Sequence, residues 1–217
     1  MVKAPTAQAA PAPQESPRSE LRRMQILDAA ADCFRTHGFH GASIAQISRT
    51  AGMSAGHIYH YFENKEAIIA AIVERDLDHL HQLSEELRSA PDMLSAMLHQ
   101  ADNGVSDQLD PHCAALKLEI LAEASRNPAV AATVHQTDRA CLASLDATLR
   151  ALKRSLGQEA DDAEIRALSE LLATMFEGLT VRAIRNPSLN KALVSGIFRK
   201  VILELIARQA PSAHRQP

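Results

Sequence analysis

The chain has 217 residues, 46% hydrophobic and 23% charged, with a formal net charge of −3 at pH 7. That length and apolar fraction suffice for a substantial core, in one large domain or two small ones, and exclude a chain disordered throughout. Only eight glycines and ten prolines occur, Ala and Leu are abundant and β-branched alternation is scarce, so the pattern points to an all-α protein. The longest apolar runs, such as Ile68 to Val73, fall far short of the roughly 20 residues that cross a bilayer, and no membrane partner is expected.

The negative net charge argues against a nucleic-acid partner until its distribution is read. Residues 1 to 65 hold 7 basic and 5 acidic groups, and residues 66 to 217 hold 16 and 21. A weakly basic N-terminal part followed by an acidic body fits DNA binding, and it fits ordinary solvated surface as well. The three cysteines, Cys33, Cys113 and Cys141, have no metal or redox spacing. Each lies in a helical apolar pattern, as a small buried hydrophobe or as a thiol sensor in a reducing compartment.

Residues 1–15, rich in Ala, Pro and Gln with one lysine and no hydrophobic centre, read as a flexible tail of a cytoplasmic protein without a signal peptide. Ser16-Pro17 then opens the first helix, with Ser16 as cap and proline in its favoured first turn. Leu21, Met24, Leu27, Ala31 and Phe34 recur at intervals of three and four, and Gly38 stops the helix. Arg18, Arg22 and Arg23 fall near its start, either as phosphate contacts or as solvated charge.

Ser43 next caps a short helix, with Gln46 completing a capping box and Ile44, Ile47 and Ala51 turned inward. Gly52 permits the positive backbone angle of a sharp stop. Ser54 caps a second short helix with Ile58 and Phe62 on its buried side and Ala55, Gly56, His57, Tyr59 and His60 facing out. Such a pair of helices joined at one glycine predicts a helix-turn-helix, its outer face suited to a DNA groove.

These residues also resemble a known family. A long amphipathic helix ending Thr-His-Gly-Phe, then Ala-Ser-Ile-Ala-Gln-Ile-Ser, Ala-Gly-Met-Ser-Ala-Gly and Ile-Tyr-His-Tyr-Phe-Glu-Asn-Lys-Glu is similar to the DNA-binding domain of TetR-family transcriptional regulators, over roughly residues 20 to 70 without gaps. Where the family often has a lysine and a threonine flanking the glycine of the recognition helix, this chain has Ala55 and His57. The resemblance implies that the helix of Ser54 to Phe62 enters the major groove, that Tyr59 and His60 contact backbone or base edges, and that Ser43 and Lys65 bind phosphates. The DNA-binding set is then Ser43, Ser54, Ala55, Gly56, His57, Tyr59, His60 and Lys65.

Asn64 caps the next helix, and Ile69, Ile72, Val73, Leu77, Leu80, Leu83 and Leu87 carry an apolar stripe to about Arg88. At about 1.5 Å per residue it spans roughly 36 Å, enough to join a reading unit to a separate body. Further helices are expected at about 92–102, 111–125, 128–156, 162–185 and 189–208, broken at Pro91, Asn103-Gly104, Pro111, Asn127-Pro128, Gly157 and Asn186-Pro187. The resulting division is a tail at 1–15, a helix-turn-helix domain at 16–65, an effector and dimerisation domain at 66–208 and a tail at 209–217. Leu168, Leu172, Met175 and Leu179, with Ile197, Val201 and Leu205, form stripes that either face a second copy in a four-helix bundle or face their own core.

No phosphate loop, paired-cysteine zinc site or nucleophile elbow appears, so no catalytic residue, metal site or cofactor is expected. His79 and His81 point to different sides of a helix, and His57 and His60 lack an acidic or thiol neighbour. Glu119 and Glu123, one turn apart, either supply counter-charge in an effector pocket or pair on a solvated face with Lys117 or Arg126. The candidate effector lining is Leu98, Leu116, Glu119, Ile120, Glu123, Cys141, Phe176 and Glu177. With Phe176 and Phe198 the only aromatics after Phe62, a compact aliphatic or polar effector is expected over a flat aromatic cation. The sequence thus reads as a ligand-responsive, homodimeric DNA-binding regulator, a repressor on a near-palindromic operator. The alternatives are a constitutive or thiol-regulated DNA-binding protein and a helical enzyme.

Overall fold

The computed structural model describes residues 17–159 and 161–207, and among these it contains nine α-helices and no strand. The cap expected at Ser16 and the tails expected at 1–15 and 209–217 lie outside the described residues. Helix α1 runs Pro17–Gly41 but is broken at Gly38, whose φ of 69° and ψ of 167° only glycine adopts without strain, and one tight turn follows. Helices α2 (Ile44–Ala51) and α3 (Ala55–Tyr61) make the short pair, and α4 (Lys65–Ser89) leads away from it.

The body is α5 (Met93–Gln108), α6 (Pro111–Ala124), α7 (Pro128–Ser155), α8 (Asp162–Arg185) and α9 (Lys191–Ala207). The side-chain oxygens of Asn64, Asp92, Asp110 and Asn127 accept first-turn backbone N–H groups, and Pro111 and Pro128 occupy the first turn, where the missing donor costs nothing. One expected break is corrected: α5 continues through Asn103-Gly104. The glycine is there for space, because a Cβ on Gly104 would meet Phe176 Cε1 of α8 at 3.0 Å.

The first core joins Ile26, Leu27 and Phe34 of α1 to Ile47, Ile58, Ile68 and Ile72, and it extends into the body through Leu116 and Ile120 of α6 and Val130 of α7. A second core holds Met97 and Leu98 of α5, Leu149 and Leu152 of α7, Ile165, Leu168 and Leu172 of α8, and Ile202 and Ile206 of α9. Val105, Leu109 and Leu179 form a third, capped by Phe176 and Phe198 with ring centroids 5.3 Å apart.

This packing corrects several expectations. Leu168, Leu172 and Leu179 are buried in the chain's own cores, with Met175 and Leu205 packed against the second, so the α8 row expected to meet a second copy faces inward. Helix α8 carries two apolar rows, and the other, with Leu171, Val181 and Ile184, is exposed. On α9, Leu193 is 69% and Ile197 58% exposed, and Val201 is exposed beside them. Leu98, Leu116 and Ile120, expected to line an effector site, are buried in the cores, and partly buried Phe176 packs against the second and third.

Candidate nucleic-acid interface

The reading unit is built from local hydrogen bonds. Ser43 Oγ accepts the Gln46 N–H at 3.2 Å, and Gln46 Oε1 accepts the Ser43 N–H at 2.7 Å, so two donors at the start of α2 are satisfied reciprocally. Gly52 ends α2 with φ 63° and ψ 33°, and the Met53 N–H returns to the Ser48 carbonyl at 3.0 Å. The Ser48 hydroxyl donates to the Met53 carbonyl at 2.5 Å, which pins the turn from both sides. Ser54 Oγ then accepts the His57 N–H at 3.2 Å and starts α3.

Seven residues do not make a stable helix alone, so α3 depends on its anchor. Ile58 is 0% exposed, a burial worth about 1.5–3 kcal/mol, and Phe62 closes the helix on the same core. Gly56, His57, Tyr59 and His60 are exposed and Ala55 is half-buried, with Tyr59 at 56%. The His57 and His60 rings lie 6.4 Å apart, each 5.3 Å from the Tyr61 ring, forming a connected polar ridge.

Lys65 is placed differently from the expectation. Its Nζ donates to the carbonyls of Phe39 at 2.6 Å and Ala42 at 2.9 Å and lies 4.5 Å from the Phe39 ring centroid. Phe39 lies in the last turn of α1 and Ala42 just beyond its end, where carbonyls lack intrahelical partners, and the ammonium at the start of α4 satisfies them. Lys65 therefore clamps the α1–α2 turn instead of presenting a free cation for a phosphate.

The two carboxylates of α6 meet the same turn from the other side, which corrects their assignment to an effector site. Glu119 Oε1 accepts the Phe39 N–H at 2.6 Å. Glu123, only 1% exposed, accepts from Arg126 Nε at 2.8 Å and Asn127 Nδ2 at 3.1 Å, with His40 Nε2 at 3.1 Å. Burial pushes the Glu123 carboxyl up, but the Asn127 and Arg126 hydrogen bonds and the nearby charges of His40 and Arg126 outweigh it and hold it below its ordinary value.

Of the expected effector residues, half-buried Cys141 and exposed Glu177 stay outside the three cores. Burial pushes the Cys141 thiol up, helped by the charges of Asp138 and Asp76. Burial also raises Glu177, with Asp138 and Glu170 adding repulsion. Asp76 of α4 is exposed, and partial desolvation raises its carboxyl against the pull of Arg75, Lys117 and His79. Asp138 of α7 thus lies within electrostatic reach of Glu177 on α8, and Asp76 of α4 within reach of Cys141 on α7. The sequence reading missed Asp76, although a signal existed: it interrupts the apolar stripe of Ile69, Val73, Leu80 and Leu83 at a stripe position. Cys113 is exposed, contrary to the expectation of a buried thiol, and Cys33 is buried. No group of three potential metal ligands occurs among the described residues.

A helix-turn-helix unit with an outward polar ridge, keyed to a larger helical body, defines a DNA-binding regulator of transcription. Residues 26–72 match the profile described as bacterial regulatory proteins, tetR family, and residues 90–209 match that of the BetI-type transcriptional repressor, C-terminal. The chain belongs to the tetR family of bacterial regulatory proteins, with a BetI-type C-terminal region. It is 31% identical to the regulator BetI of Escherichia coli over 196 residues, 85% of this chain and 93% of BetI. It is 35% identical to UidR of Escherichia coli K12 over 114 residues, 51% of this chain and 55% of UidR, and so spans about half the length of that relative. Salmonella enterica GusR has a similar structure, with a TM-score of 0.69 at 27% identity, over 87% of this chain and 96% of GusR.

Proposed function

We propose that the chain is a homodimeric repressor whose α3 reads the major groove of an operator and which a small-molecule effector releases. The observation that carries this reading is the ridge of Gly56, His57, Tyr59 and His60, exposed on a helix whose opposite side is locked into the core by Ile58 and Phe62. A rigid helix with polar and small outward residues can approach base edges closely, and Ser43 and Ser54 bring the starts of α2 and α3 beside it. The apolar side chains on the outer faces of α8 and α9, Leu171, Val181, Leu193 and Ile197 among them, support pairing of two copies and hence a two-fold operator.

For the effector we propose a compact polar molecule that meets Asp76, Cys141 and Glu177 between α4, α7 and α8. The repulsion of Glu177 by Asp138 and Glu170 favours a ligand that brings hydrogen-bond donors or positive charge, and the paired Phe176 and Phe198 rings are engaged with each other. Thiol regulation through Cys141 is weakened by its raised thiol, which keeps less thiolate at neutral pH. The reading is of a regulator acting in the cytoplasm without enzymatic activity. Among the described residues no helix is long and apolar enough to cross a membrane.

Selection of duplexes from a randomised pool, followed by anisotropy titration with the parent and Tyr59→Ala, tests the core of the proposal. Sequence-selective binding that Tyr59→Ala weakens without lowering the melting temperature is expected. A parent that enriches no sequence refutes it.

A further inference from the structure

The start of α1 presents three arginines, and the structure separates their roles. Arg23 turns inward, its guanidinium carbon 5.6 Å from the centroid of the Phe62 ring, where it covers the anchor at the end of α3. Arg22 goes the other way. Its Nη1 donates to Gln25 Oε1 at 3.0 Å, and Gln25 donates from Nε2 to the Ala51 carbonyl at 2.8 Å. Ala51 is the last residue of α2, where helix carbonyls lack intrahelical acceptor duty, so the amide nitrogen of Gln25 has a fixed destination. Its oxygen must then face Arg22. A guanidinium has five N–H donors in a planar fork, and the bond to Gln25 uses one of them.

Arg22 and Arg18 form one wall of a groove of about 490 Å³, and Gly52, Ser54, His57 and Tyr61 belong to the other. No carboxylate lines this groove. It adjoins the exposed ridge of α3, a helix that has no lysine or arginine of its own. Lys65 does not supply the missing cation, because its ammonium is bound to the carbonyls of Phe39 and Ala42.

We propose that this groove seats a phosphate of the DNA backbone, with Arg22 as its main contact, Arg18 as a second cation and Gln25 as the positioning residue that aims Arg22. The inference rests on the reading of α3 as the helix that enters the major groove, and it names the backbone contact that sets that helix in register. A forked guanidinium suits a phosphate oxyanion, and holding the side chain before DNA arrives reduces the entropy lost on binding. Contacts of this kind fix position and carry no sequence information.

The test uses the full chain, a duplex it selects from a randomised pool, and a mixed-sequence duplex of equal length, with anisotropy titrations across salt. Arg22→Gln is expected to flatten the slope of log affinity against log salt by about 0.9 per subunit and to weaken both duplexes alike, by about eightfold per contact at 0.1 M salt. Arg22→Lys keeps the charge and should keep the slope. Gln25→Ala should weaken binding by less, with its slope intact, and add nothing when combined with Arg22→Gln. A parental slope in a normally folded Arg22→Gln variant overturns the proposal. So does a loss confined to the selected duplex, which would make Arg22 a base contact, or full additivity of the two substitutions, which would remove Gln25 from the device. A parent that binds neither duplex instead overturns the DNA-binding reading beneath it.

Discussion

Three helices meet at the backbone of Phe39, and removing one of its partners gives a measurable consequence. Its N–H is held by Glu119 of α6 and its carbonyl by Lys65 of α4, both at 2.6 Å. Phe39 is 2% exposed, so Glu119→Ala leaves its N–H without the carboxylate acceptor in a place with little water. A hydrogen bond to a charged group contributes about 1.5–3 kcal/mol, which puts the expected loss near 2 kcal/mol. For a chain of this size each kcal/mol moves the melting temperature by about 2–4 °C, so a fall of about 4–8 °C is expected. Glu119→Gln keeps a neutral carbonyl acceptor and should lose about half as much. Gly38→Ala probes the same turn, since φ of 69° strains any side chain and the new Cβ would lie 3.2 Å from Glu119 Oε1. Combined with Glu119→Ala that contact disappears, so the double variant should be more stable than the sum of the two losses implies. The assay is thermal unfolding by circular dichroism at one fixed protomer concentration, because self-association would itself shift the transition. Glu119→Ala melting with the parent, or Glu119→Gln melting with Glu119→Ala, would refute the reasoning.

Ile197→Glu, at a side chain 58% exposed on α9, should leave the helical spectrum unchanged and convert the sedimenting species to a monomer; a parent that is already monomeric removes the premise. Glu123, with its depressed carboxyl, stabilises the fold above its unfolded-state value near 4.5 and loses that contribution as pH falls through its lower folded value. The gap in urea midpoint between the parent and Glu123→Gln should therefore be wide at pH 6 and shrink below about pH 4.5, and a gap independent of pH would contradict the linkage. Asp76 has the opposite sign: a raised carboxyl stabilises the fold below the unfolded value near 3.8 and loses that contribution as pH rises through its folded value. Asp76→Asn should thus melt slightly above the parent at pH 7 and not at pH 3, and a variant that melts with the parent at both pH values would count against a raised carboxyl.

The features legible in the sequence were those fixed by residues within one helical turn of each other. Ser43 with Gln46, Gly52, Ser54 with His57, and Asn64 with Ala67 each need only a near neighbour and a known backbone angle, and all form as the spacing implies. What the sequence left open depends on partners far along the chain. Lys65 follows Asn64 in a motif that suggests an outward cation, yet its direction is set by carbonyls left open at the end of α1, more than twenty residues earlier. Glu119 and Glu123 share one helix face whether they meet an effector or a backbone amide, and only the docking of α6 against α1 decides between these. Gly104 reads as a helix breaker until the Phe176 ring is seen above it.

The two rows on α8 show the same limit at the scale of an interface. Periodicity identifies a helix that is apolar on more than one side, but burying Leu168 and Leu172 rather than Leu171 is settled by where α5, α7 and α9 lie. The more regular row, Leu168, Leu172 and Leu179, is the one buried in the core, where continuity excludes water along the helix. The exposed row carries Thr174 and Gly178 between its apolar members, small residues that would let a partner helix approach closely. If two copies pair through α8 as proposed, the row of Leu171, Val181 and Ile184 is the one left open to a partner.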